Sequence, residues 1–240
     1  MKFLKNISED QKDKILALDC EMCGNTRPRE ERHLEKRYVL KATLIDGHGN
    51  IIFDELCIPE KTDEDMKTDI HGITKQDLQG KQSYLDLIEK VKVLVKDKIV
   101  VGHSLDADLK GLGYNKTEKK RIPFEHPFKL QRDTAERFQW TTGKKRPSLK
   151  ELAKNHIGVT IQEGIHDSKE DAFAALLIYA KYYDSWEISL KKKFSMPFHC
   201  ELCNVFCKSK KVLRSHLNGK KHQHNALLAG SDESSSDSNE

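Results

Sequence analysis

The chain lacks any long apolar run, which argues against a membrane-spanning protein. No stretch of its 240 residues is apolar enough to cross a bilayer, and the opening MKFLKNISEDQ has no apolar core of a secretory signal. Cysteines are also sparse, six in all, and free thiols fit a reducing compartment. Short basic runs at 144–147 and 191–193 resemble nuclear signals. We therefore expect a nuclear protein, with a cytoplasmic location as the alternative.

A second cysteine pair is missing near Cys20 and Cys23. Two thiols alone leave a tetrahedral zinc ion without half of its ligands. Cys20 also falls on the apolar side of the strand predicted around it, where thiols are inert. We interpret both cysteines as structural and expect neither zinc nor redox chemistry there.

Two carboxylates end the first apolar run, ILALDCEM at 15–22. Side chains alternate across a strand, so Asp19 and Glu21 share one face while Leu18 and Cys20 lie on the other. Two acids so close repel each other, and a divalent cation between them turns that repulsion into binding energy. Because merely solvated acids are common at strand ends, this block alone predicts no function.

A second block, IVVGHSLDADLKGL at 99–112, is an apolar run that meets Gly102 and then continues with leucines at helical spacing. This pattern predicts a strand that leads into a helix. With the leucines facing the core, Asp108 lies on the turn nearest the sheet, whereas Asp106 points toward solvent. We select Asp108 as the candidate site residue.

The third block, HDSKEDAFAALLIYAKYY at 166–183, predicts a helix capped by Asp167 or Ser168. Asp171 lies one turn in, at the edge of the apolar stripe, and His166 stands just before the helix. A carboxylate beside buried apolar residues needs a partner. First-turn acids that interact with the helix dipole are the alternative, which accounts for Asp167 but not for His166.

These blocks, with RDT and RPSLKELA between them, resemble the DEDDh 3′-to-5′ exonucleases, and among those the Rex-type RNA exonucleases and the plant small-RNA-degrading nucleases. The resemblance covers roughly residues 12–183, and the His166 to Asp171 spacing matches the histidine branch. It implies that His166 is the general base and that four acids hold two Mg²⁺ or Mn²⁺ ions, which activate water and stabilise the leaving 3′-oxygen. The implied metal ligands are Asp19, Glu21, Asp108 and Asp171.

Between the blocks, the pattern predicts an α/β domain. Runs at 38–46 and 50–58 flank Gly47 and Gly49 and predict a hairpin. Caps and apolar spacing predict helices at 74–78, 83–97 and 148–158. The resemblance implies an RNase-H-like mixed sheet with flanking helices.

A charged stretch from Cys23 to Arg37 follows the first strand, where relatives have a short Gly-rich turn. It has both signs of charge and almost no apolar period. We interpret it as a loop or short solvated helix near the substrate entrance, with arginines that are either solvated or in contact with RNA phosphate.

A second module follows at 198–222, FHCELCNVFCKSKKVLRSHLNGKKH. Its spacing of Cys, Cys, His and His is typical of a zinc finger, and a module this small needs the metal to fold. The predicted ligands are Cys200, Cys203, His216 and His222, with both imidazoles on one helix. Cys207 is interpreted as a core residue of a small ββα unit. The module resembles the matrin-type finger, which is associated with double-stranded or structured RNA.

Basic charge is concentrated on this finger and the lysines before it. Residues 191–221 carry nine Lys or Arg and one acid, whereas residues 1–190 are close to neutral in a chain of net charge +4. Phosphate binding explains such a surplus, and a solubilising surface is the alternative. The predicted domains are an exonuclease domain at 1–190, a zinc finger with its basic lead-in at 191–228 and a disordered acidic, Ser-rich tail at 229–240.

Together these patterns predict a metal-dependent 3′-to-5′ exoribonuclease that releases nucleoside monophosphates, with a zinc finger that assists RNA binding. The expected partners are a single-stranded RNA 3′ end at the active site and structured RNA at the finger, and no membrane. A DNA exonuclease is one alternative, because metal-binding acids recognise the phosphodiester and not the sugar. A non-catalytic RNA-binding protein on a nuclease fold is the other, although it would not need His166 at this spacing. The sequence predicts no oligomeric state.

Overall fold

The computed structural model describes residues 2–24, 37–61, 65–113, 124–142 and 146–231. The chain divides into two compact units, residues 1–183 and 184–240. The predicted domain boundary at residue 190 lies within a helix, Tyr183–Phe194. None of the helices within the described ranges is long and apolar enough to cross a membrane.

A six-stranded mixed sheet forms the centre of the first unit. Strand β1 runs antiparallel to β2, which runs antiparallel to β3, while β4, β5 and β6 each join a parallel neighbour, so the order is β4-β3-β2-β1-β5-β6. The strands are β1 (Ile15–Gly24), β2 (Arg37–Asp46), β3 (Ile51–Ile58), β4 (Gln82–Ser83), β5 (Ile99–Gly102) and β6 (Gln131–Asp133). The predicted hairpin is therefore confirmed as β2 and β3.

Helices flank the sheet of the first unit. They are α1 (Glu9–Lys12), α2 (Thr68–His71), α3 (Tyr84–Val95), α4 (Leu105–Gly111), α5 (Thr134–Thr142), α6 (Leu149–Leu152) and α7 (Ser168–Lys181), with a 3-10 helix at Lys2–Asn6 and another at Phe128–Leu130. A further helix, α8 (Tyr183–Phe194), begins at the last residue of this unit and belongs to the second unit from Asp184 onward. The predicted fold class, a mixed sheet with flanking helices, is confirmed.

Alternation along β1 separates the apolar core from the polar site. Leu16, Leu18 and Cys20 join one core cluster with the buried faces of α3 and α4. Asp19 and Glu21 therefore project from the other face of the sheet. A register shift between Glu21 and Met22 interrupts the pairing with β2 directly after the second acid. Bulges of this kind are common beside active sites, where they change the direction of a side chain.

Two predicted helices differ in the structure. Residues 75–80 form turns rather than a helix, because Thr74 and Asp77 bond to each other in a closed turn and Gly80 follows with a left-handed φ of 71°. The helix predicted at 148–158 begins with the expected capping box at Ser148, yet after α6 it widens into a π-helical turn at Ala153–Ile157. Gly158, with φ of 71°, ends it as expected.

The second unit contains α8 from Asp184 onward and a small ββα arrangement. Strands β7 (Phe198–Cys200) and β8 (Val205–Cys207) pair antiparallel, and α9 (Lys210–Leu217) and α10 (Lys220–Ser231) follow. The two predicted histidine ligands therefore lie on two helices and not on one. Six residues along a continuous helix turn through about 240°, which would point the two rings away from each other. The break between Leu217 and Lys220 removes this conflict.

Replacing Leu44 by alanine should destabilise the first unit strongly. Leu44 lies on β2 and is fully buried, so truncation leaves a cavity that costs about 2–5 kcal/mol. Ile52→Ala on neighbouring β3 is the control, because Ile52 is 42% exposed. Urea unfolding measures both variants. Equal losses in the free energy of unfolding for the two variants would contradict the burial pattern.

Candidate active site

Strand β1 brings the first two acids to the site. Asp19 pairs with Thr43 and Glu21 with Lys41 across the β1–β2 ladder. Thr43 donates or accepts a 2.7 Å hydrogen bond with Ser168 at the start of α7. The ladder and this hydroxyl pair hold the N-terminus of α7 against the two acids.

Helix α4 supplies the third acid. Asp108 is buried, and its Oδ1 accepts a 3.1 Å hydrogen bond from the backbone N–H of Cys20. Asp106 is exposed instead and forms an ion pair with Arg146 at 3.1 Å. The structure thus brings Asp108 and not Asp106 to the β1 acids, as the leucine spacing predicted.

Helix α7 supplies the fourth acid and the histidine. Asp167 caps the helix by accepting from the N–H of Lys169, and the backbone N–H of Ser168 lowers the pKa of Glu21. Asp171 is buried one turn later. His166 lies just before the cap, with Nδ1 3.9 Å from Asp171 Oδ2 and its side chain 37% exposed. The structure therefore brings all five predicted residues together around β1.

The crowded acids resist ionisation in the protein alone. Loss of water raises the pKa of Asp19 well above its usual range, and the charges of Asp108 and Asp171 raise it further. Burial likewise raises the pKa of Asp108 and of Asp171. Glu21 has its pKa raised to about 7 by burial and by the nearby charge of Asp171. A group of carboxylates in this state is stabilised by added positive charge.

The donor set fits divalent cations. Oε1 of Glu21 and Oδ1 of Asp171 are buried, and no hydrogen-bond donor of the described residues reaches them. Such oxygens cost free energy unless something positive binds them. Carboxylate oxygens are the ligands that Mg²⁺ and Mn²⁺ prefer. Asp19, Glu21, Asp108 and Asp171 could thus hold divalent metal.

Three further residues support the site, and periodicity could not identify them. Lys41 Nζ lies 2.8 Å from Asp54 Oδ1. Its positive charge lowers the pKa of Asp19 and of Glu21, although burial and the neighbouring acids raise both pKa values more strongly. Gln162 Nε2 donates to Asp171 Oδ2 at 2.8 Å. Only the register between strands and the path of a loop bring these side chains to the acids.

Asp133, the third supporting residue, lies in the RDT block. Its carboxylate accepts backbone hydrogen bonds from Ser104 and Leu105 at the start of α4 and from Ala135 and Glu136 at the start of α5. Burial nevertheless raises its pKa to about 6. It fixes the turn from β5 into α4, which carries Asp108.

The second unit contains a different metal centre. Ligand atoms of Cys200, Cys203, His216 and His222 all lie within 4.8 Å of one another. Nε2 of His216 is buried, and none of the described residues offers it a hydrogen bond. Two thiols and two imidazoles in this arrangement fit tetrahedral zinc. Cys207 is buried outside this group, as predicted.

Most of the charged stretch and of the acidic tail, residues 25–36 and 232–240, lies outside the described residues. Residues 229–231, predicted to begin the disordered tail, instead continue helix α10 to Ser231, because the helical hydrogen bonding that starts at Lys220 extends past the predicted boundary.

Comparison with protein families matches the two units separately. Residues 16–179 match the RNase T family, an exonuclease family, and residues 198–222 match a zinc-finger family of C2H2 type. The first match includes all four acids and His166. The second includes the four predicted zinc ligands.

Several similar curated proteins carry the name RNA exonuclease 4. RNA exonuclease 4 of Cryptococcus neoformans is 34% identical over 188 residues, which are 77% of this chain and 42% of that protein. RNA exonuclease 4 of Candida glabrata is 32% identical over 200 residues, which are 80% of this chain and 70% of that protein. RNA exonuclease 4 of Mus musculus is 32% identical over 178 residues, which are 73% of this chain and 38% of that protein. The chain thus spans less than half the length of two of these relatives.

Solved structures agree with the fold. The pseudoubiquitin hydrolase–RNA exonuclease module of Saccharomyces cerevisiae Pan2 in complex with AAUUAA RNA is 27% identical, with a TM-score of 0.57, and the match covers 78% of this chain and 32% of that one. The same module in complex with AAGGA RNA is 27% identical, with a TM-score of 0.58, and the match covers 78% of this chain and 32% of that one. The mixed sheet with its helices is therefore shared.

Replacing Glu21 by glutamine should change how stability depends on pH. A carboxyl whose pKa rises from 4.5 to about 7 on folding binds more protons in the folded chain, so stability falls as pH rises through that window. In buffer without Mg²⁺ or Mn²⁺, Glu21→Gln should therefore be more stable than the parent at pH 7.5, by about 3 kcal/mol at most. Its stability should also vary less between pH 5 and 7.

Thermal unfolding across this pH range provides the measurement. The exposed Glu163, replaced by glutamine, is the matched control. Addition of Mg²⁺ should stabilise the parent more than the Glu21→Gln variant. A parent and variant with the same pH dependence would show that the acids are not crowded in solution.

Proposed function

The chain belongs to the RNase T exonuclease family, and from that membership we propose that it is a metal-dependent 3′-to-5′ exoribonuclease that releases nucleoside monophosphates. One observation carries the proposal: four carboxylates from β1, α4 and α7 converge beside His166, and two of their oxygens are buried with no hydrogen-bond partner among the residues that the structure describes. A structural cluster would have satisfied those oxygens with its own donors.

The acids have the role of holding two Mg²⁺ or Mn²⁺ ions. When bound, such ions supply Lewis-acid stabilisation of the phosphate and of the leaving 3′-oxygen. The Cys20 N–H holds Asp108 in place by donating to its Oδ1. The position of this ligand is thus set by a backbone group that cannot rotate away.

His166 has the role of general base. Its imidazole is partly exposed, and its Nδ1 lies too far from Asp171, at 3.9 Å, for a direct hydrogen bond. The ring is therefore available to take a proton from the attacking water. Its backbone is fixed, because the His166 N–H donates to Ile70 O at 2.7 Å.

RNA as substrate is supported by the relatives, which are RNA exonucleases, and by the Pan2 modules, which carry RNA. A DNA exonuclease of the same mechanism is the second candidate, since four acids recognise the phosphodiester of either polymer. A catalytically inactive RNA-binding protein is the third. The orphaned acid oxygens favour catalysis over this last candidate.

The finger is proposed to bind one Zn²⁺ and to assist RNA binding. Its basic residues outnumber its acids by eight between 191 and 221, which suits contacts to phosphate. A nuclear location is proposed from the same basic runs at 144–147 and 191–193.

Asp108→Asn should reduce RNA hydrolysis at least about 100-fold, because it removes one metal-binding charge worth several kcal/mol. Asp106→Asn, two residues away on the same helix, is the matched control. Its carboxylate is exposed and pairs only with Arg146 among the contacts described, so its rate should stay within about threefold of the parent.

The assay uses 5′-labelled and 3′-labelled RNA and DNA of one sequence with Mg²⁺ or Mn²⁺. A 3′-to-5′ exoribonuclease yields a ladder from 5′-labelled RNA and immediate mononucleotides from 3′-labelled RNA. Faster hydrolysis of DNA would select the second candidate, and no hydrolysis of either polymer would select the third. Full activity of Asp108→Asn would remove the metal-ligand assignment.

Cys203→Ser should abolish zinc binding by the finger and weaken RNA binding without stopping hydrolysis of a short oligonucleotide. The thiolate is one of four ligands, and a finger without metal does not fold. Loss of phosphate contacts should also flatten the dependence of affinity on salt, by about 0.7 units of slope per contact on single strands.

Cys207→Ala is the control within the same finger, since Cys207 is buried but lies outside the ligand group. Metal analysis and RNA affinity at several salt concentrations measure both variants. An unchanged salt slope for Cys203→Ser would show that the finger does not contact RNA phosphate.

A further inference from the structure

Gln162 is held rigidly in the loop between α6 and α7. Its backbone N–H donates to Glu170 Oε2 at 2.9 Å, and its backbone carbonyl accepts from Lys150 Nζ at 2.9 Å. Its side-chain Nε2 donates to Asp171 Oδ2 at 2.8 Å. Three contacts thus fix both the backbone of this residue and the direction of its amide.

The backbone of Gln162 is strained. Its φ is +56°, a left-handed conformation that glycine adopts freely and glutamine does not. The same loop uses glycine at positions 158 and 164, where φ is also positive. A glutamine in a conformation that suits glycine indicates that the side chain is needed, because strain of this kind persists where the surroundings enforce it and often accompanies function.

The hydrogen bond from Gln162 gives the two oxygens of Asp171 different environments. Oδ2 accepts from the Gln162 amide, whereas Oδ1 is buried and receives no hydrogen bond from the described residues. A carboxylate with one oxygen fixed can turn only a little about its last bond. The buried Oδ1 is thereby held in one orientation.

The donor is also neutral. A lysine or arginine at this place would cancel the charge of Asp171 and compete with a cation for it. An amide orients the carboxylate and leaves its full negative charge to the metal. The neighbouring His166, at 3.9 Å from the same Oδ2, makes no direct hydrogen bond that could replace the amide.

The geometry points to Gln162 as a positioning residue that orients Asp171 for divalent metal by holding its Oδ2. This inference rests on the proposed function, because it requires that Asp171 binds metal. Gln162 itself does not touch the reacting atoms. Residues that orient a metal ligand in this way typically change metal affinity or activity 10- to 100-fold when replaced.

The test measures Mn²⁺ binding by calorimetry to the zinc-loaded full chain. Gln162→Gly removes the amide and relieves the strained φ, so its melting temperature should stay within about 2 °C of the parent while Mn²⁺ binds roughly 10- to 100-fold more weakly. Gln162→Leu removes the amide but keeps the strain. It should melt lower and lose the same factor in Mn²⁺ affinity.

Gln79→Gly, at an exposed position in the 75–80 turns, is the control for replacing a glutamine by glycine. Asp108→Asn supplies the background for Mn²⁺ bound outside the active site. The inference is supported if both Gln162 variants, which lack the amide, lose the same factor in Mn²⁺ affinity although their melting temperatures differ.

Two results would overturn it. Parental Mn²⁺ affinity in Gln162→Gly, with the parent well above the Asp108→Asn background, would remove the role of Gln162 and leave the proposed function intact. A parent that binds Mn²⁺ no better than Asp108→Asn would instead remove the metal site itself, and the inference with it.

Discussion

The removal of four neighbouring carboxylates from water is the constraint on which the first unit depends. Burial raises the pKa of Asp19, Glu21, Asp108 and Asp171, and the charges of the other three acids raise the pKa of Asp19 further, so positive charge or hydrogen-bond donors must stabilise their ionised forms. The protein supplies part of this through backbone N–H groups at Cys20 and Ser168 and through the Lys41 ammonium. Under the proposed function, a divalent cation supplies the remainder, so that the unfavourable free energy of the crowded acids favours metal binding.

The sheet makes this arrangement possible because it is rigid where the acids stand. Strand β1 has neighbours on both sides, and its apolar face is buried under α3 and α4. Asp133 accepts two backbone hydrogen bonds at the start of α4 and two at the start of α5, which fixes α4, and α7 is fixed by the contact of Thr43 with Ser168. Acids on three separate elements thus keep their spacing although they repel each other.

The second unit has too little apolar surface to form a core of its own. Its two short strands and helices bury few large side chains, and the cluster of two thiols and two imidazoles takes the place of a core. Asn225 Nδ2 lies 3.4 Å from Cys203 Sγ, which adds a donor to one thiolate. In both units, metal binding compensates for what side-chain packing cannot supply.

The sequence alone identified the acids that the fold brings together, because alternation on β1 and helical spacing on α4 and α7 assign each acid to a face. It also determined the hairpin, the main helices and the spacing of the zinc ligands. Tertiary structure decided what no local pattern encodes: the turns at 75–80, the break that sets His216 and His222 on two helices, and the roles of Lys41, Gln162 and Asp133. Those features depend on contacts between residues distant in the chain, and period and capping signals report only on neighbours within a few residues.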